Sequence, residues 1–262
     1  MKISQLEYNI RRLIEPYPDK FSIAIAAGDE RIVINADQPK KAASLIKIPL
    51  LIEAFRQIEI GILDPNELVY IDEHMKVGGA GVINQMTNSN IYSYINLLEL
   101  MIIVSDNTAA NIILDKIGIE QANHLAEQLN CMDTRLQRRF MDFHAQNMGY
   151  ENRTTARDIQ LFLQTITFEN DFLDQQSRKS ILRIMSNQQL SHKLGTYLPS
   201  DTDLHMYSKS GELSGVEHDA AIIKYRNRRI EAAILTDGWE NNGVGSRHIA
   251  EIGKMLFEYI TS

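Results

Sequence analysis

The stretch Ala42-Ala43-Ser44-Leu45-Ile46-Lys47-Ile48-Pro49-Leu50-Leu51 places a serine and a lysine three residues apart inside an otherwise apolar run. If the run is helical, the two side chains lie on one face, about 5–6 Å apart at Cβ. A buried lysine tends to lose its charge, because desolvation penalises the ammonium form. A neutral amine beside a hydroxyl is a base beside a nucleophile. The alternative is an ordinary helix start, with Ser44 near the cap and the Lys47 ammonium reaching water.

The composition is that of an ordinary globular chain. Of its 262 residues, 44% are hydrophobic and 23% are charged, which allows one large domain or two interleaved ones. The formal charge of −7 argues against nucleic acid or an anionic membrane as the main partner. Cys131 is the one cysteine and the histidines show no metal-ligand spacing, so we expect no disulfide, no metal and no cofactor.

Residues 1–8 lack the apolar core and the cleavage site of a secretory signal. No apolar run approaches the length of a transmembrane helix. We therefore expect a cytoplasmic monomer without a membrane partner, and export only if the natural sequence starts before Met1.

Hydrophobic periodicity divides the chain into a helical middle and strand-containing ends. Helices are predicted at residues 3–14, 44–57, 94–104, 108–117, 119–129, 176–187 and 249–260, with another beginning near Thr154-Thr155. Strands are predicted at residues 21–27, 31–35, 68–71, 204–210, 219–225 and 230–236, with residues 226–229 as a tight turn. Residues 138–152 show no period and are predicted to form a long functional loop.

This order of elements predicts an α/β (α+β) fold. Its antiparallel sheet of about five strands is built from both chain ends and is flanked by N- and C-terminal helices. Residues 1–40 and 196–262 are expected to form this α/β domain. Residues 41–195 are expected to form an inserted all-α domain, with the active site at the interface.

Three short motifs carry chemistry when they are taken together. They are Ser44-Leu45-Ile46-Lys47, Ser105-Asp106-Asn107 and Lys209-Ser210-Gly211. The first opens the apolar helix, the second lies in a predicted turn between helices, and the third ends a predicted strand. Taken singly, the second is also typical of a helix N-cap and the third of a strand end.

In this order, the motifs resemble those of the penicillin-recognising serine enzymes, and within them the class A β-lactamases. The separations of 61 and 104 residues between the motif serines and the second lysine are similar to the class A pattern. The resemblance covers most of the chain and implies the β-lactamase/transpeptidase-like fold. It also implies β-lactam catabolism and, with it, antibiotic resistance.

For catalysis, the resemblance implies that Ser44 is the nucleophile and that Lys47 accepts or relays its proton. Ser105 is implied to pass a proton to the departing lactam nitrogen, since a hydroxyl both donates and accepts.

For binding, the resemblance implies that Asn107 contacts the side-chain amide of a small-molecule substrate. Lys209 and Ser210 are implied to hold the substrate carboxylate, and Gly211 to let the strand backbone approach closely. The oxyanion is expected between the backbone N–H groups of the nucleophile and of Glu212.

The chain departs from class A enzymes in the loop at residues 138–152. These enzymes carry Glu-x-x-Leu-Asn there, and the glutamate activates the deacylating water, but that motif does not occur here. In one hypothesis Asp142 replaces the glutamate as a general base, and Asp142→Asn then traps the acyl-enzyme. In the other, Asp142 pairs with Arg138 or Arg139, and hydrolysis is slow or uses another base, such as His144.

The missing glutamate leaves several functions open. The leading hypothesis is a class A-like β-lactamase. The alternatives are a D-Ala-D-Ala peptidase or penicillin-binding protein, an esterase, or a β-lactam sensor that is acylated without turnover. Residues 78–84 are expected at the rim of the pocket, and His218 and Arg247 are candidates for contacts with the substrate carboxylate.

Overall fold

A computed structural model describes residues 1–199 and 203–262. The helices are α1 Ile3–Ile14, α2 Lys47–Glu59, α3 Tyr94–Ile103, α4 Asn107–Ile117, α5 Ile119–Gln128, α6 Phe143–Asn147, α7 Ala156–Thr167, α8 Gln175–Ser186 and α9 Val244–Thr261. The strands are β1 Phe21–Ala27, β2 Glu30–Ile34, β3 Lys40–Lys41, β4 Leu68–Tyr70, β5 Ile91–Ser93, β6 Arg153–Thr154, β7 Leu204–Leu213, β8 Val216–Tyr225 and β9 Arg228–Asp237. Among the described residues, no helix has both the length and the apolarity needed to cross a bilayer.

Five strands form one antiparallel sheet in the order β2-β1-β9-β8-β7. Side chains alternate between its two faces, as the pleat requires. Ile23 and Ile25 pack against α1 and α9 on one face, whereas Ala24 and Ala233 join the core formed with the helical middle. The predicted antiparallel sheet with terminal helices is confirmed. Strand β7 is an edge strand of this sheet, so one side of its backbone is free to meet other groups.

The helical middle packs around α2, whose residues from Lys47 to Phe55 are all buried. Pro49 is tolerated near the start of this helix because the first N–H groups have no intrahelical partner. The chain enters α2 through a 3-10 turn, Ala43–Ile46, so Ser44 lies one turn ahead of the α-helix rather than at its first residue.

Several predicted elements needed correction. The tight turn is Arg226-Asn227, because Tyr225 already pairs with Arg228. Strand β7 continues to Leu213, so the Lys209-Ser210-Gly211 motif lies within the strand and does not end it. The loop at residues 138–152 contains a short helix, α6.

The short strand pairs β3–β6 and β4–β5 were only partly predicted, because pairs this short have little periodicity. The division into residues 1–40 plus 196–262 and residues 41–195 stays a prediction. Its C-terminal segment includes residues 200–202, which lie outside the described residues.

Candidate active site

Ser44 is half-buried at the bottom of a cleft between the helical middle and the edge strand β7. The cleft has two adjoining cavities, of about 190 Å³ and 450 Å³, and Ser44 lines both. Gly79 and Ala80 line the smaller cavity, within the residues expected to form the rim. Ser105, Ser210 and Glu212 line the larger one.

Lys47 is fully buried, and its amine is held by oxygen atoms of the Ser105-Asp106-Asn107 turn. Its Nζ donates to the Ser105 carbonyl at 2.7 Å and to Asn107 Oδ1 at 2.9 Å, and lies 3.1 Å from Ser105 Oγ. Burial lowers the pKa of Lys47 well below its ordinary value, and the nearby Lys209 lowers it further. Lys47 is therefore suited to be a neutral amine that accepts a proton.

Ser105 is fixed in a sparsely populated conformation between α3 and α4. Its φ is +57°, which a residue other than glycine adopts only when its surroundings require it. The next residue, Asp106, caps α4 by accepting from the Ala109 N–H at 2.9 Å. Its second oxygen accepts from the Val82 and Ile83 N–H groups at 2.7 and 2.9 Å. One buried carboxylate thus joins this turn to the rim of the cleft.

Lys209 approaches the same hydroxyl from strand β7. Its Nζ donates to Ser105 Oγ at 3.0 Å and to the Ser210 carbonyl at 2.7 Å, and the side chain is fully buried. Burial lowers the pKa of Lys209 to about 7, while Asp219 raises it and Lys193 lowers it. Among the described residues, no carboxylate forms an ion pair with Lys47 or Lys209. Ser105 Oγ therefore lies between two amines with weakened affinity for protons.

Gly211 brings the backbone of β7 against the nucleophile. A Cβ atom at this position would lie 3.3 Å from the Ser44 nitrogen and 3.2 Å from the Ala43 Cβ. Both distances are tighter than most packed contacts, so a side chain here would require the strand or the Ser44 backbone to shift by a few tenths of an ångström. Because Glu212 follows directly, its backbone also lies at this edge.

The loop at residues 138–152 is held at its base by buried polar groups. Arg138 Nη2 contacts Glu151 Oε1 at 2.7 Å. Asn152 Oδ1 accepts from the Gln137 and Arg138 N–H groups at 2.8 and 3.1 Å. Arg139 instead pairs with Asp115 at 2.9 Å. The expected pairing of Asp142 with Arg138 or Arg139 is therefore wrong.

Asp142 has a local role in this loop. Its Oδ1 accepts from the Ala145 N–H at 2.9 Å and caps α6. Asp142 and His144 are not among the described residues that line the two cavities at Ser44. The cavity-lining carboxylate on this side is Glu151, which is occupied by Arg138 and Gln146.

Phe140 lines the smaller cavity and lies directly against Lys47. Its ring centroid is 4.7 Å from Lys47 Nζ. Its backbone is held on both sides by buried Asn111, which accepts from the Phe140 N–H at 2.8 Å and donates to its carbonyl at 3.0 Å. An aromatic ring in a fixed position thus lies over the amine, with Met141 and Phe143 beside it in the wall of the cavity.

His218 is fully buried rather than exposed to substrate. Its Nε2 donates to the Lys41 carbonyl at 2.8 Å, and its Nδ1 accepts from the Thr236 N–H at 3.0 Å. Burial lowers the pKa of His218 to about 4, so the ring is neutral. The expected contact of His218 with a substrate carboxylate is therefore wrong. Arg247 is exposed in the first turns of α9.

Two buried residues of the site were missed from the sequence. Asn111 lies four residues after Asn107 on an apolar helix, and this spacing, which places both amides on one face, was an available signal. Lys193 is fully buried behind β7. It belongs to no motif, and nothing local distinguishes it from the lysines at the surface.

Comparison with known proteins gives a family match along almost the whole chain. The sequence profile of the β-lactamase enzyme family matches residues 5–260. No curated protein matches the sequence.

Solved structures share the fold at low sequence identity. The β-lactamase of Sphaerobacter thermophilus is 24% identical, with a TM-score of 0.89 over 100% of this chain and 98% of that one. A mutant of PBP-A, solved as an acyl-enzyme complex with penicillin G, is 24% identical, with a TM-score of 0.87 over 98% and 97%. A class A β-lactamase from Bacteroides cellulosilyticus is 20% identical, with a TM-score of 0.85 over 99% and 98%. The architecture described above is thus the β-lactamase/transpeptidase fold.

Proposed function

This chain belongs to the β-lactamase enzyme family and is a hydrolase of the serine β-lactamase type, and on that premise we propose that Ser44 opens β-lactams through an acyl-enzyme. The observation that carries the proposal is the position of Ser105 Oγ, 3.1 Å from Lys47 Nζ and 3.0 Å from Lys209 Nζ, in the cleft that Ser44 lines. This arrangement supplies a proton acceptor, a relay and a cation around one nucleophile.

In the acylation step one C–O bond forms, one C–N bond breaks, and the net proton transfer is from Ser44 to the ring nitrogen. Ser44 Oγ forms a bond to the lactam carbonyl carbon, and its proton passes to the neutral amine of Lys47. The C–N bond of the ring then breaks, and Ser105 delivers a proton to the departing nitrogen while it regains one from Lys47. The product is an ester on Ser44 with a protonated ring nitrogen.

The binding groups surround this reaction. Lys209 and Ser210 hold the substrate carboxylate, and the Asn107 side chain contacts the acyl amide. The N–H groups of Ser44 and Glu212 bind the oxygen that becomes negatively charged. The closeness of Gly211 to the Ser44 nitrogen supports this pairing of backbone donors.

Hydrolysis of the ester is the slow step in this proposal. Deacylation needs a water molecule next to the ester and a base to take its proton. Phe140 lies over Lys47, and Glu151 is tied to Arg138. Neither group can activate water as a free carboxylate does.

These same contacts favour a second candidate, a penicillin-binding protein or D-Ala-D-Ala peptidase with a long-lived acyl-enzyme. The fold likeness to the PBP-A mutant that was solved with penicillin G attached also supports it. Release of D-alanine from a D-Ala-D-Ala peptide, at a rate above that of β-lactam turnover, would favour the peptidase.

A chromogenic cephalosporin tests the proposal when colour and intact mass are followed together. We expect a burst of about one equivalent of colour, a mass adduct on Ser44 and slow turnover afterwards. The matched control is Ser44→Ala, which should lose both the burst and the adduct. An absence of colour and adduct with Ser44 intact would overturn the proposal, and rapid turnover without an adduct would overturn its slow step.

A further inference from the structure

Lys193 is a fully buried lysine in the segment of chain that connects α8 to the edge strand β7. Its Nζ donates to the Gly211 carbonyl at 3.1 Å and to the His218 carbonyl at 3.2 Å. Glu212 Oε2 lies 3.4 Å away. These two carbonyls belong to residues that face each other in the β7–β8 ladder. The ammonium therefore contacts both strands at the level of Gly211, the residue that lies against the Ser44 nitrogen.

The contact with Gly211 fixes one particular peptide unit. In a trans peptide, the carbonyl and the following N–H lie in one plane and point in opposite directions. Because Lys193 and β8 hold the Gly211 carbonyl on the inner side, the Glu212 N–H points to the free edge of the sheet. At that edge Gly211 lies against the Ser44 nitrogen. The lysine thus acts together with the strand pairing to fix the direction of a backbone donor beside the nucleophile.

The charge on Lys193 also affects the strength of that donor. A cation at the carbonyl oxygen draws electron density through the amide and makes its N–H more acidic, and burial increases the effect. The nearby negative groups are Glu212, on the exposed side, and buried Asp219, whose oxygens accept from the Leu194 and Ala220 N–H groups at 2.9 and 3.0 Å. These carboxylates offset the cost of burying the ammonium.

We propose that Lys193 is a positioning residue for the oxyanion hole, holding the Gly211–Glu212 peptide so that the Glu212 N–H meets the developing negative charge. This inference rests on the proposed acylation of Ser44. It assigns Lys193 no contact with the substrate.

The test compares Lys193→Met, which keeps most of the apolar stem, with Lys193→Arg, which keeps the cation. We expect Lys193→Met to slow acylation by about tenfold, because misplaced oxyanion donors lose much of their effect. The infrared carbonyl band of the acyl-enzyme should move to higher wavenumber, since its hydrogen bond is weaker. Lys193→Arg should restore both values in part. An unmoved band in Lys193→Met would overturn the proposal.

Lys40→Met is the matched control, since Lys40 is also a buried lysine and pairs with Asp237 away from the cleft. It should lower the melting temperature and leave the carbonyl band unchanged. If Lys193→Met does not fold, Lys193→Gln, which retains a donor, should show a smaller shift of the band in the same direction. No shift in Lys193→Gln would then count against the proposal.

A nitrophenyl ester without a carboxylate distinguishes a positioning role of Lys193 from direct binding of the substrate carboxylate. Slower acylation by this ester in Lys193→Met supports the positioning role, whereas a loss confined to carboxylate-bearing β-lactams would show that Lys193 binds the substrate instead. If the wild-type protein reacts with the ester and not with β-lactams, the proposed function fails and the ester still tests Lys193. If Ser44 reacts with neither, both proposals fail.

Discussion

The two sides of the Ser44 cleft differ in polarity. The lysine wall, formed by Lys47, Ser105 and Lys209, is buried and joined by hydrogen bonds of 3.0 to 3.1 Å at one hydroxyl. The loop wall, formed by Phe140, Met141 and Phe143, is apolar, and the carboxylate beside it, Glu151, is paired with Arg138. The lysine wall can accept and pass protons, whereas the three side chains that form the loop wall cannot. The comparison indicates that the groups for acylation lie on the lysine wall, whereas a base for deacylation would have to lie on the loop wall. A protein of this fold can therefore have a complete set of acylation groups and still lack the base that releases the acyl chain.

The largest effect is expected when the lysine wall also loses its proton acceptor. Lys47→Met removes the neutral amine and should slow acylation on the order of 10³-fold, since a general base contributes that much. Stopped-flow measurement of adduct formation gives the rate constant. A variant that is acylated at the wild-type rate would show that another group takes the serine proton.

The opposite change adds a base to the loop wall. In Phe140→Glu, the backbone of residue 140 should stay in place because Asn111 holds it, so the new carboxylate should lie near Lys47. As a general base, this carboxylate should accelerate deacylation on the order of 10²-fold. The lifetime of the mass adduct measures this step. Phe140→Leu is the matched control, because it opens the same space without adding a base. If both variants shorten the lifetime equally, access of water and not the missing base limits release.

The titration of the lysine wall gives a smaller effect. The pKa of Lys209 is about 7, so this cation is present below that pH and is lost above it. The rate of acylation by a carboxylate-bearing β-lactam should fall about tenfold above this pH, because the substrate carboxylate then loses one charge-assisted hydrogen bond. A neutral nitrophenyl ester should show no such decline. Both should react more slowly in acid, where Lys47 becomes protonated. The two profiles of rate against pH check the assignment, and an identical alkaline decline for both substrates would contradict it.

The smallest effect is expected at Asp142. Because Asp142 caps α6 and asparagine caps a helix as well, Asp142→Asn should change acylation and deacylation by no more than about twofold. Adduct lifetimes of the variant and the wild type provide the measurement. A stable trapped acyl-enzyme in Asp142→Asn would restore Asp142 as the general base of the loop.

Much of the fold follows from local patterns in the sequence. Helix α1 spans the predicted residues, and the turn Ser105-Asp106-Asn107 lies between two helices. Such patterns are readable because periodicity and capping act over a few residues. The short pair β3–β6 joins segments more than 100 residues apart, and nothing local in either segment indicates its partner.

The reactive groups and their order along the chain can be identified from the residues alone: a serine and lysine at the start of a helix, a second serine in a turn, and a second lysine on a strand. Their protonation and their ion pairs depend on the tertiary structure. Burial lowers the pKa of Lys47 and Lys209, Glu151 and not Asp142 neutralises Arg138, and Phe140 covers the amine. Desolvation and ion pairing depend on which distant segments pack together, so the Ser44 motif indicates a nucleophile but not how long its ester survives.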